Sequence, residues 1–142
     1  MLGFSQSEVS DENLYSKKKM EELIMVLMGG RICEDFFCSD ITNGASNDIE
    51  KATEIAKNYV KKFGFSSSNK FMNYNDDNPY KNETSNFLCD DADREVRDLL
   101  NLKYEDTQFL INENKNKIEK IKDILLENET IYYKDIEKVI HK

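Results

Sequence analysis

Ser16-Lys17-Lys18-Lys19-Met20-Glu21-Glu22-Leu23-Ile24-Met25-Val26-Leu27-Met28 is the stretch that decides the fold class of this 142-residue chain. Met20, Leu23, Ile24, Leu27 and Met28 recur at i, i+3, i+4, i+7 and i+8, the spacing of a helix with one apolar face. Ser16 has the character of an N-cap, with Tyr15 and Met20 placed as a hydrophobic staple. The three lysines after the cap oppose the helix dipole, so something other than local electrostatics must fix this start. Gly29 and Gly30 interrupt the pattern, and each costs about 1 kcal/mol against alanine inside a helix. Ile32 and Phe36 nevertheless carry the apolar period onward. The pair of glycines predicts a kink or the close approach of another backbone, with the helix fading by Cys38.

Working outward, Ile49, Ala52, Ala56, Val60 and Phe63 form the stripe of a second helix, and Gly64 is suited to its C′ position. Asn47 and Glu50 have capping-box spacing, while Thr42 offers an earlier start. Either start places Asp48 in the first or second turn, where the helix dipole favours a carboxylate. Residues 65–86 are rich in Ser, Asn, Asp and Lys and read as a long polar loop. Leu88 through Ile111 marks a long helix, Ile118 through Leu125 the next, and Ile136, Val139 and Ile140 a short last one. The expected fold is mainly α: a compact bundle of about five helices. Leu2-Gly3-Phe4-Ser5-Gln6 is the one strand-like piece, and a lone strand needs a partner. The chain is read as a single domain over 1–142: strand and loop to residue 15, two site helices over 16–64, the polar loop, and C-terminal helices over 87–142.

Composition narrows the function. A net charge of −8 excludes the basic face that a nucleic-acid binder needs. Cys33, Cys38 and Cys89 make neither a C-x-x-C pair nor an even set, which fits reduced thiols packed as small hydrophobes. Two glycosylation sequons, Asn82-Glu83-Thr84 and Asn128-Glu129-Thr130, read as accidental beside free thiols. No apolar run approaches the roughly 20 residues of a membrane span. Met1-Leu2-Gly3-Phe4-Ser5 has no targeting character, so any targeting or membrane segment would have to be upstream. The abundance of Asn, Lys and Ile suggests an AT-rich genome.

The sole histidine is His141, so a serine or cysteine nucleophile has no base within the body of the chain. A self-contained zinc site needs three or four protein donors, and the cysteines are spaced too irregularly to supply them. By composition alone no complete active site is present, and a helical interaction domain is the plain reading. One run of residues points elsewhere. Gly29-Gly30-Arg31-Ile32-Cys33-Glu34-Asp35 is followed by Ile41-Thr42-Asn43-Gly44-Ala45-Ser46-Asn47-Asp48-Ile49. Leu2-Gly3-Phe4 and Leu14-Tyr15-Ser16-Lys17 precede it. Asp93-x-Glu95-Val96-Arg97 and Leu125-Leu126-Glu127-x-Glu129-Thr130 come after. In this order the landmarks resemble the C-terminal part of the peptidase domain of the FtsH family of ATP-dependent zinc proteases, mitochondrial members included.

The resemblance implies that Asp48 is a zinc ligand. In the family, two histidines of an H-E-x-x-H helix hold the metal with that aspartate, and the helix glutamate is general base towards the bound water. Three protein ligands leave a fourth position for water. Arg31 and Glu34 would orient the ligands from behind; an ion pair or a solvated helix face is their plain reading. Leu2, Gly3 and Phe4 would form the edge strand on which an extended substrate adds. The resemblance also implies protein substrates, a hexamer, a membrane anchor, and ATP and magnesium on an ATPase module outside this chain. It fits a mitochondrial inner-membrane or plastid home. No H-E-x-x-H occurs in these 142 residues, which leads to the expectation of a truncated domain that is inactive alone. The alternative is a non-catalytic helical assembly module.

Overall fold

The cap expected at Ser16 is formed: its hydroxyl accepts the Lys19 amide at 3.1 Å, and helix α1 runs unbroken over Lys17–Phe37. The computed structural model describes residues 14–38, 42–68 and 86–141. The expected strand with Leu2, Gly3 and Phe4, and most of the polar loop, lie outside those residues. Burial outweighs the adverse lysines at the start of α1. Met20, Ile24 and Ile32 are buried on one face, and each buried side chain of this size contributes roughly 1.5–3 kcal/mol. The glycine pair does not mark a close contact. A Cβ on Gly29 or Gly30 would meet nothing within 4 Å among the described residues. The helix tolerates both because the apolar residues around them hold it in place.

Four more α-helices follow among the described residues: α2, Ser46–Lys57; α3, Asn86–Glu113; α4, Lys115–Asn128; and α5, Tyr133–Ile140. A 3₁₀ turn at Asn43–Ala45 leads into α2, and a π-helical segment at Asn58–Lys62 prolongs it. The mainly α architecture is therefore as the sequence implied. Helices α1, α2 and α3 pack against one another around Met20, Ile24, Ala52, Ala56, Tyr59, Val60, Ala92 and Val96. Three of these eight are alanines, so the helices can lie close together, and a larger side chain there would overpack a dense core.

The π-helical segment decides how α2 ends. The Phe63 amide reaches back five residues to the Asn58 carbonyl at 2.9 Å, and Phe65 reaches Tyr59 at 3.1 Å. Gly64 takes the left-handed conformation, φ 62°, which glycine adopts without steric cost. The wider turn brings the Tyr59 hydroxyl to the Glu21 carboxylate at 2.6 Å. The other Glu21 oxygen pairs with Lys103 of α3 at 3.2 Å, and Lys103 also pairs with Asp106 at 3.1 Å. Burial pushes the Glu21 carboxyl up, but the bonds from Tyr59 and Lys103 outweigh it and hold the group below its usual range. Burial and the adjacent carboxylate raise the Tyr59 phenol far above normal, so it remains a donor. Lys61 adds a second tie to α3, 2.6 Å from Asp93.

Helices α4 and α5 are held differently, with no fully buried residue in either. α4 rests on α3, and α5 on α4; Lys117 Nζ donates to the Ile140 carbonyl at 3.0 Å. Between them Glu129 is left-handed, φ 58°, and its amide closes α4 on Leu125 at 2.8 Å. A side chain in that conformation costs about 1 kcal/mol.

Three outcomes are expected. Tyr59→Phe should lower unfolding stability by roughly 1.5–3 kcal/mol, the range of a hydrogen bond to a charged group, measured by urea denaturation. Because the folded pKa of Glu21 is depressed, its contribution is fully present above the unfolded value near 4.5 and is lost as pH falls through the folded value. The stability gap between the unsubstituted chain and Glu21→Gln should therefore be flat above about pH 5 and shrink below it. Glu129→Gly should raise stability by about 0.5–1 kcal/mol at the same assay; a loss would mean that the Glu129 side chain supplies a compensating contact.

Candidate metal-binding turn

The described residues of the run that carries the family resemblance lie in the last turns of α1, the 3₁₀ turn and the first turn of α2. Thr42 is its hub. Its backbone is extended, and its hydroxyl accepts the Gly44 amide at 3.1 Å, a side-chain turn typical of threonine two residues before a glycine. That hydroxyl donates in turn to Glu34 Oε1 at 2.8 Å. Arg31 Nη1 donates to the Thr42 carbonyl at 3.0 Å. Arg31 and Glu34, one helical turn apart, thus grip the same residue from the end of α1. They are neither paired with each other by an ion pair nor simply solvated. The other Glu34 oxygen, Oε2, is buried with no hydrogen-bond partner among the described residues.

Asp48 lies in the first turn of α2, half-buried, where the partial positive charge of the helix end favours its anion. The Asn47–Glu50 capping box is not what starts the helix. The residue before α2 is Ala45, which makes no side-chain cap bond, and the chain enters through the turn capped by Thr42. Ala45 is buried and anchors that entry.

The cysteines depart from expectation in part. Cys33 is half-buried, and burial, with a smaller contribution from Cys38, pushes its thiol up. Cys38, expected to pack, is exposed, because it is the extended C-cap residue of α1, φ −111° and ψ 144°.

A carboxylate is a donor that zinc accepts, and three protein donors are the usual complement of a catalytic zinc. Among the described residues no three His, Cys, Asp or Glu side chains come together as a metal site. A carboxylate such as that of Asp48 is chemically suited to be one such donor.

The model of peptidase family M41 matches residues 1–139. The chain belongs to peptidase family M41. It is 33% identical over 140 residues to the ATP-dependent zinc metalloprotease FtsH 2 of Phytoplasma mali, covering 98% of this chain and 20% of that protein. It is 32% identical over 146 residues to a mitochondrial ATP-dependent zinc metalloprotease, FTSH 3 of Arabidopsis thaliana, covering 98% and 18%. A bacterial relative, FtsH of Parabacteroides distasonis, is 29% identical over 149 residues. The chain thus spans about a fifth of the length of these M41 relatives. Two landmarks of the M41 resemblance take on physical roles. In Asp93-x-Glu95-Val96-Arg97, Val96 is buried in the core and Asp93 holds Lys61. In Leu125-Leu126-Glu127-x-Glu129-Thr130, Leu125 and the left-handed Glu129 form the end of α4.

Sequence reasoning gave Thr42 only the role of an early helix start. The spacing Thr42-x-Gly44 was the signal for more, since a threonine hydroxyl reaches an amide two residues on. Arg31→Met should cost about 0.5–1 kcal/mol of stability, the net value of one hydrogen bond near the surface. An unchanged urea midpoint would show that the Arg31–Thr42 bond contributes nothing in solution.

Proposed function

We propose that this chain is part of the peptidase domain of an ATP-dependent zinc metalloendopeptidase and contributes Asp48 as one of the protein ligands of the metal. One observation carries the reading: in a chain that belongs to M41, the turn gripped by Arg31 and Glu34 presents a half-buried carboxylate at the head of α2. The remaining donors, the H-E-x-x-H pair of histidines, would come from a part of the longer protein outside these residues, as would the ATPase module with its ATP and magnesium. That the chain spans about a fifth of its relatives supports this division. Arg31 and Glu34 act behind the ligand, holding the turn. Zinc, when bound, would supply the Lewis acid for peptide hydrolysis; Asp48 would supply charge and a fixed direction.

On this reading the substrates are proteins, delivered to the site by ATP-driven unfolding, and the full-length enzyme is a membrane-anchored hexamer. The mitochondrial names of plant relatives support a mitochondrial placement, and the inner membrane is what the family resemblance implies. The 142 residues alone would neither retain zinc stoichiometrically nor cleave casein.

Asp48→Asn in the full-length protein should abolish proteolysis while ATP hydrolysis stays largely intact. Proteolysis at the unsubstituted rate would remove Asp48 from the site. If the longer gene product lacks an H-E-x-x-H helix altogether, the chain is instead a non-catalytic helical assembly module.

A further inference from the structure

The core grips α2 only from Ala52 onward. Ahead of it, α2 has no side-chain cap and Ile49 is 45% exposed, so apart from the buried Ala45 packing does little to fix the turn that carries Asp48. What does fix it is a relay of two hydrogen bonds: Gly44 N–H to Thr42 Oγ1, 3.1 Å, and Thr42 Oγ1–H to Glu34 Oε1, 2.8 Å. The direction of the relay is forced. Glu34 donates nothing when ionised, so the hydroxyl proton must point to it, leaving its lone pairs for the Gly44 amide. The second bond is charge-assisted and polarises the first. Space is as tight as the bonding: a Cβ on Gly44 would stand 3.2 Å from Thr42 Oγ1 and 3.6 Å from Glu34 Oε1.

We propose that Thr42 is the positioning residue of this site, its hydroxyl locking the start of α2 to α1 and so setting the direction in which Asp48 is presented. The importance of that direction rests on Asp48 being a metal ligand; the lock itself does not. Valine matches threonine in shape but has no hydroxyl. It would free the Gly44 amide and also strip Glu34 Oε1 of its Thr42 donor, beside an Oε2 that has none among the described residues. Serine keeps the relay.

Residue-resolved hydrogen exchange of the 142-residue chain tests the lock. Thr42→Val should speed exchange of the Gly44 amide by roughly fivefold or more, the factor that loss of a helix cap represents, while Thr42→Ser stays near the unsubstituted rate. Gly44→Ala, which keeps the hydroxyl but crowds it, should also speed exchange at position 44, and it serves if the valine variant does not fold. Exchange in both Thr42→Val and Gly44→Ala at the unsubstituted rate overturns the proposal, as does serine behaving like valine. In the full-length protein, zinc retained after dialysis against a chelator should fall about tenfold or more in Thr42→Val and recover in Thr42→Ser, as for a residue behind a metal ligand. If Asp48→Asn retains zinc fully, the ligand reading fails, and the exchange result still decides whether Thr42 is the lock.

Discussion

The fold turns on one carboxylate shared by three helical segments. Glu21 of α1 accepts from Tyr59 on the π-helical segment and pairs with Lys103 of α3. Apolar packing among alanines and aliphatic side chains is permissive about sliding and rotation, because many arrangements bury similar area. A half-buried charge with two fixed partners is not permissive, since any register that separates them leaves an uncompensated ion. The node therefore selects one arrangement of α1, α2 and α3 from the several that the core would tolerate. It also gives the π-helical segment its reason: the widened turn brings the Tyr59 hydroxyl to Glu21.

From that three-helix body the candidate site projects at one end. α1 contributes Arg31 and Glu34, α2 contributes Asp48, and Thr42 joins them. Rigidity reaches Asp48 from two directions, the core behind Ala52 and the hydroxyl relay in front. A carboxylate held this way would lose little conformational freedom on binding a metal, the role proposed for Asp48. The α4–α5 pair shares none of this. With no fully buried residue, it is the part of the described chain least tied to the cooperative body.

Much of the architecture was legible because it follows from local rules. Ser16 and the period from Met20 to Met28 gave the start and face of α1, and Ala52, Ala56 and Val60 gave the buried stripe of α2. What sequence missed depends on partners far along the chain. Nothing near Tyr59 announces a wider turn, since its reason is Glu21, 38 residues away. The capping box at Asn47 satisfied a local pattern, but the bond between Thr42 and α1 set the helix start earlier. Gly29 and Gly30 looked like a contact and have open space around them. Asp48 was legible only through the ordered landmarks of the family, because an acidic residue at a helix start is ordinary.

The π-helical segment has one more consequence, for how the sequence can vary. A π turn holds one residue more than an α turn, so Asn58–Lys62 behaves as a helix into which a single residue has been slipped. Removing any one residue there would restore ordinary α geometry and turn the rest of the segment, up to Phe63, by about 100° about the axis. Tyr59 or Lys61 would then face away from its partner. The length of this stretch is consequently fixed more strictly than its composition: substitutions at exposed positions can drift, whereas a one-residue deletion breaks the ties from this segment to Glu21 or Asp93.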